Sequence, residues 1–281
     1  MEKVYIVTDS TAGVPRNIVE NKNVKVLPLT IEFEGKVYKD GVEIDEPTLL
    51  SMLDKGEKLP KTSQVNPNAF YEEYESIIKE GYKIISIHIS SKVSGTYQSA
   101  CIARDMIENN ENIHVIDSKG VSFATGALVQ ETIKMLELGE SVESTVEKIN
   151  LLTDKVKVAF AVDNLEYIRK GGRISSIHAA VGTLLNIKPI LCVEDGKIDV
   201  FDKVRGRKKA LKRLLDYVKE QNPDTDITFA VGNVAAEDDV EEFKKMLKEE
   251  NIIDDAQSVK VGSVIATYAG PGTIGVFFFK K

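Results

Sequence analysis

The sequence predicts an α/β protein of two domains: an N-terminal, mostly parallel sheet flanked by helices, then a C-terminal α+β domain. Three observations carry this expectation. Up to residue 155, short apolar runs alternate with longer stretches of helical period, as in a parallel sheet covered by helices. Beyond it the pattern changes to hairpins mixed with helices; the clearest is Pro189–Val193 and Lys197–Phe201 about an Asp195-Gly196 turn. Finally, 281 residues suffice for two modest domains. The boundary is expected near Lys155, giving 1–155 and 156–281, although no Pro-, Gly- or Ser-rich linker marks it.

Each element follows from local sequence. Val4–Val7 reads as a strand ended by the polar turn Thr8–Thr11, and Val24–Phe33 as a strand ended by Glu34-Gly35. Pro47–Lys55 has helical spacing. Asn66 is an N-cap with Pro67 at the first helical position, opening a helix through Lys79. Ile84–Ile89 predicts a strand, Ser90–Thr96 a polar loop, Tyr97–Glu108 a helix and Ile113–Ile116 a strand. Val121–Leu138 predicts a long helix stopped at Gly139, and Ser141–Leu152 another. In the second part, strands are expected at Val156–Val162, Asp226–Gly232, Ser258–Ile265 and Thr273–Phe279. Helices are expected at Leu165–Lys170, halted by Gly171-Gly172, and at Ser176–Leu185, Arg207–Gln221 and Glu237–Glu249.

Composition narrows the function classes. Hydrophobic residues at 42% and charged residues at 29% describe an ordinary globular protein and exclude disorder or a disulfide scaffold. No run of 18 apolar residues is present, so no transmembrane helix and no stable membrane insertion are expected. The start, MEKVYIVTDS, turns polar too soon for a secretory signal. A net charge of −7 argues against a nucleic-acid partner. Cys101 and Cys192 sit in apolar runs and read as buried free thiols of a cytoplasmic protein. With His88, His114 and His178 scattered, no metal-ligand spacing exists.

Gly270–Gly275 spells GxGxxG, but the apolar run Val276–Phe279 follows where a dinucleotide fingerprint needs a helix, so the glycines are expected to make a tight turn. A Walker A motif is absent. Lys92 stands where a G-x-S-x-G elbow around Ser94 would need its first glycine. Three hydroxyl-rich loops, Thr8–Thr11, Lys61–Gln64 and Ser90–Thr96, follow strands or open helices. Each suits helix capping; the three together suit an anion at the strand ends, such as a carboxylate or phosphate. Asn164–Ser175 carries Arg169, Lys170 and Arg173 around a glycine stop, which suits an anion or a partner, or a C-cap with dipole-complementing cations. Lys203–Arg213 holds seven cations including Arg205. It reads as the solvated side of an amphipathic helix, whose apolar face is Ala210, Leu211, Leu214, Leu215 and Val218, or as a docking patch. No aromatics interleave the cations, as single-strand binding would require.

Read together and in order, VTDSTAG (Val7–Gly13), KTSQVNP (Lys61–Pro67), ISSKVSGTYQSA (Ile89–Ala100), VIDSKGVSFATG (Val115–Gly126), YIRKGGRIS (Tyr167–Ser175), LLNIKPIL (Leu184–Leu191) and GPGTIG (Gly270–Gly275) are similar to the DegV family. This family includes the FakB binding subunits of bacterial fatty acid kinase. The resemblance spans nearly the whole chain. It implies a long-chain fatty acid of the palmitate or oleate type, buried between the two domains, with its carboxylate at Thr62 and Ser94 and with Ser63 and Gly95 beside it. Tyr268 stands where many relatives carry His; a phenol donates a hydrogen bond but is not a cation at neutral pH. The resemblance further implies a lipid-binding protein that is not an enzyme alone, with no catalytic residue, cofactor or metal of its own. It implies presentation of the acid to a separate kinase docking near Arg169, Arg173 and Arg205. The alternative is an enzyme acting on a small phosphorylated or carboxylated substrate at the same crevice.

Overall fold

The computed structural model describes residues 2–55, 59–108, 110–174 and 186–281. The helix expected over 176–185 lies outside the described residues, as does His178.

The chain opens with β1 (Val4–Asp9), a single 3-10 turn (Ser10–Ala12), α1 (Arg16–Asn21), β2 (Val24–Leu27), β3 (Thr30–Phe33), β4 (Lys36–Lys39), α2 (Glu46–Lys55) and β5 (Lys61–Ser63). It continues through α3 (Pro67–Lys79), β6 (Lys83–His88), α4 (Thr96–Asp105), β7 (Ile113–Asp117), α5 (Phe123–Glu137) and α6 (Val142–Thr153). Four of these strands form a parallel sheet in the order β2-β1-β6-β7. Its central strands bury nearly every residue, as a sheet covered on both faces must. A small antiparallel sheet, β4-β3-β5, stands beside it.

The second half comprises β8 (Val156–Ala161), α7 (Glu166–Gly171), β9 (Ile187–Glu194), β10 (Lys197–Arg205), α8 (Arg207–Glu220), β11 (Pro223–Asp224) and β12 (Ala230–Val234). It ends with α9 (Glu237–Glu249), β13 (Gln257–Lys260), α10 (Ser263–Ala269) and β14 (Thr273–Lys280). These strands form a mixed sheet in the order β10-β9-β8-β14-β12-β13, with β11 also paired to β14. The expected hairpin is β9–β10, turning through Asp195 and Gly196, both at positive φ. The α/β class, with a parallel N-terminal sheet and a mixed C-terminal one, stands as read. On α8 the expected apolar face, from Ala210 to Val218, is buried.

Two expectations are corrected. Val24–Phe33 is not one strand. Pro28 lacks the N–H a ladder needs, so the chain breaks there: β2 stays in the parallel sheet and β3 leaves for the antiparallel one. Ser258–Ile265 is not one strand either. β13 ends at Lys260, and after Gly262 a helix begins, because Ser263, Val264, Ala266, Thr267 and Ala269 recur at helical spacing and are buried together.

One apolar core joins the two sheets: Ile85 and Ile87 of β6, Leu128 of α5, Val158 of β8 and Phe277 of β14 belong to it. Helix α10 projects from the second half into a separate core with Leu49, Phe70 and Ile84 of the first. Asp40 ties the start of α10 down. Its buried carboxylate accepts from the Ser10 hydroxyl at 2.8 Å and meets the backbone N–H groups of Ser263 and Val264. Burial pushes the Asp40 carboxyl above its ordinary range, and those hydrogen bonds act against the rise.

Candidate functional site

The site forms where β5, the loop after β6, and α10 converge. Among the described residues strand β5 pairs only with β3, placing Thr62 opposite Ile31 and leaving its hydroxyl free to point at another element. That element is α10: the Thr62 Oγ1 and the Tyr268 phenol are hydrogen-bonded. Tyr268 is gripped from its other side. A Cβ on Gly171 would lie 2.2 Å from its ring, so only glycine lets α7 pack this closely. The Arg173 guanidinium stacks 4.8 Å from the ring centroid, and its Nη1 donates to the Gly171 carbonyl at 2.5 Å.

Ser94 lies in the loop between β6 and α4. Its Oγ lies 3.0 Å from Thr96 Oγ1 and accepts weakly from the Thr96 N–H at 3.3 Å, so the loop is folded onto the start of α4. Gly95 sits against the Gln64 side-chain amide; a Cβ there would lie 2.0 Å from Gln64 Oε1. Gln64 Nε2 in turn donates to Ser99 Oγ at 2.8 Å. Through these contacts the Thr-Ser-Gln and Ser-Gly-Thr loops become one surface.

That surface is part of the wall of a cavity of about 580 Å³. Thr62, Ser63, Ser94, Gly95 and Tyr268 all line it. So does Arg173, which the family resemblance offers as a docking residue. Arg169 and Arg205 are exposed and do not line it. The remaining wall is largely apolar, with Leu29, Val121, Val158, Phe160, Ile198 and Phe277 as its main groups. The volume and the few convergent polar groups suit a ligand with a long hydrocarbon body and one polar end. A second cavity of about 370 Å³ shares Thr62, Arg173 and Tyr268 and adds Lys61 and Lys170, so the polar end of the main cavity is also its cationic side.

The third hydroxyl-rich loop does not join. Thr8 donates to the Ile87 carbonyl at 2.7 Å, and Asp9 accepts from Thr11 and Ile89 N–H groups. Asp9 Oδ2 also lies 3.0 Å from His88 Nδ1, His88 Nε2 lies 2.6 Å from Ser86 Oγ, and Ser86 accepts from the Tyr74 phenol at 2.5 Å. This Asp-His-Ser string was not visible in sequence spacing. All four side chains are fully buried and none lines the cavity, so the string wires β1 to β6 and presents no nucleophile.

The GxGxxG glycines make a turn, as expected. Gly270 and Gly272 have positive φ and lie against Tyr167 and Asp163, while Gly275 lines the cavity from β14. Sequence reasoning missed Gln64 and Ser122 as wall residues; both lay inside motifs already singled out. It also missed the apolar wall, which comes from five separate strands and loops. Among the described residues no group of three or more His, Cys, Asp or Glu is placed to hold a metal ion. No helix among them is long and apolar enough to cross a membrane. In the Lys203–Arg213 stretch, Arg207 is paired with Asp239 and Asp163, and Arg213 with Asp202 and Glu220. Lys203 and Arg205 lie on β10 rather than on the helix.

A family model described as "Uncharacterised protein, DegV family" matches residues 3–281. The chain belongs to the DegV family. Among curated DegV relatives, a DegV domain-containing protein of Caldanaerobacter subterraneus subsp. tengcongensis is 40% identical over 286 residues, covering 100% of both chains. Solved DegV structures superpose closely. One described as showing fatty acid binding of a DegV family protein from Thermus thermophilus has a TM-score of 0.91 at 30% identity, covering 99% of this chain and 100% of that one. A fatty acid binding DegV family protein from Streptococcus agalactiae has a TM-score of 0.90 at 33% identity, covering 100% of each chain.

Proposed function

We propose that this chain binds one long-chain fatty acid, of the palmitate or oleate type, in the 580 Å³ cavity. The carboxylate lies at Thr62, Ser94 and Tyr268, with Ser63 and Gly95 at its edge, and the hydrocarbon lies along the wall formed by Val158, Phe160 and Phe277. One observation carries the reading: five polar positions drawn from three distant segments line a single cavity whose other wall is apolar. The fatty acid binding of the solved DegV relatives supports it.

The energetics suit this assignment. Burying about 14 methylenes of a palmitate-like chain at ~0.8 kcal/mol each gives roughly 11 kcal/mol before the costs of binding. The hydrocarbon therefore supplies affinity, and the hydroxyls orient the head. With Tyr268 in place of an ionisable imidazole, Arg173 is the cation nearest the phenol and supplies the charge that faces the carboxylate.

We further read the protein as a cytoplasmic carrier that is not an enzyme by itself and that presents its acid to a separate kinase. The two halves, 1–155 and 156–281, act as domains closing on the ligand. The exposed Arg169 and Arg205 are the remaining docking candidates. The test is a titration of delipidated protein with palmitate and oleate, for wild type and for Thr62→Ala with Ser94→Ala. Saturable binding by wild type, weakened in the double variant at unchanged melting temperature, is the expected result. Equal binding by both would remove the carboxylate assignment, and no binding by wild type would remove the function.

A further inference from the structure

Resting on the fatty-acid reading, we propose that Ser122 forms a second polar subsite within the cavity, one that takes an in-chain hydroxyl of a hydroxylated fatty acid. Ser122 is only 3% exposed, and it lines the cavity. Its hydroxyl has no hydrogen-bond partner among the described residues. The other buried or half-buried hydroxyls on that wall are satisfied: Thr62 by Tyr268, Ser94 by Thr96, and Thr273 by the Ala269 carbonyl at 2.8 Å.

Ser122 occupies the N-cap position of the 15-residue α5, where a serine side chain ordinarily accepts from a first-turn N–H. Here it does not. The backbone stands at φ 54 and ψ −140, and the N–H groups of Ala124 and Thr125 are taken by the Val121 and Ser122 carbonyls at 3.3 and 3.0 Å. The hydroxyl is left to the cavity, beside the apolar Val121 and the wall from β8 and β14. Thr62, Tyr268 and Arg173 also border the second, cationic cavity, and Ser122 does not.

The Ser122 oxygen is reachable from the cavity, and a saturated chain that covers it takes it out of water with nothing to pair it, which is a cost. A chain hydroxyl at the right carbon removes it, with each oxygen able to donate or accept. A site built around such a pair rejects the analogue lacking the group, because its own polar atom is then stranded. A cis double bond offers only a weak π acceptor and is the natural control.

The experiment titrates the full, delipidated chain with stearic acid, oleic acid and a set of hydroxystearic acids whose hydroxyl is moved along the chain. Wild type, Ser122→Ala and Ser122→Gly are compared. Glycine tolerates this backbone conformation, so it deletes the hydroxyl without the strain alanine keeps. The proposal expects one hydroxystearate to be favoured, relative to stearate, by about three- to tenfold more in wild type than in either variant. Stearate affinity should be unchanged or higher in the variants. An unchanged ratio in the variants overturns the proposal. So does an equal loss for every acid, which would instead put Ser122 at the carboxylate. If wild type binds hydroxystearates and stearate without any positional preference, the subsite is refuted while fatty-acid binding stands. If it binds no acid, both readings fall.

Discussion

Thr62 and Tyr268 lie 206 positions apart in the chain, yet their hydroxyls are hydrogen-bonded at the polar end of the cavity. Thr62 comes from the edge strand of the small sheet and Tyr268 from α10, so this contact joins early and late parts of the chain at the cavity wall.

Tyr268→Phe keeps the ring packed on Gly171 and beneath Arg173 but deletes the phenol. Fatty-acid affinity is expected to fall about two- to tenfold, the worth of one ordinary hydrogen bond, with little change in melting temperature. Calorimetric titration beside a thermal melt checks both halves. A melting temperature many degrees lower would show the phenol to be a structural group instead.

Arg173→Ala is expected to weaken binding more than Arg173→Lys does. The lysine keeps a charge near the carboxylate but loses the planar stacking on Tyr268. The same titration, repeated at high salt, should narrow the gap between wild type and alanine by screening.

Two glycines separate site effects from fold effects. In Gly126→Ala the new methyl would lie 2.2 Å from the Ala12 carbonyl oxygen, backbone against backbone. α5 must move off the Ser10–Ala12 turn, and a loss of about 1–3 kcal/mol of stability is expected by denaturant unfolding. In Gly95→Ala the methyl meets the end of the Gln64 side chain, which can swing away. Stability should change little, while Gln64 leaves Ser99 and the head-group loops loosen, so the loss shows in ligand titration.

Asp40 gives a pH signature. Its folded-state carboxyl is held above the ordinary value of 3.8, chiefly by burial. In the window between 3.8 and that raised value the native state therefore binds more protons than the unfolded chain. This group's contribution to stability grows as pH falls through the window and levels off below it. Asp40→Asn does not titrate. The stability of wild type relative to Asp40→Asn should thus rise on acidification, measured as unfolding free energy at several pH values. A difference that falls or stays flat would contradict the burial argument.

The legible parts of the sequence were those governed by local rules. Asn66 caps α3 through the Ala69 N–H, as Asn-Pro predicts. The Asp195-Gly196 hairpin formed, and so did the apolar face of α8. That Thr62, Ser63, Ser94, Gly95 and Tyr268 belong together was legible because the family resemblance named the short motifs that hold or adjoin them, and all five line one cavity. What failed depended on distant partners. The break at Pro28 was misread because β-branched residues flank it on both sides, though the two strands go to different sheets. Helix α10 was misread because Val261, Val264 and Ile265 suit a strand equally well until Asp40, from the other half of the chain, fixes the helix start. That Arg173 lines the cavity was not legible, because its place over Tyr268 depends on a contact across nearly a hundred residues. The apolar wall had no signature at all, since its residues are ordinary core residues until a cavity forms among them.

The central claim is that the cavity holds a long-chain fatty acid. Its most direct test is mass spectrometry of the organic extract from freshly purified protein. A near-stoichiometric long-chain fatty acid, absent from an equally purified variant whose cavity is filled by Gly275→Phe, is the predicted result. A clean extract from wild type, followed by no uptake of added palmitate or oleate, would contradict it.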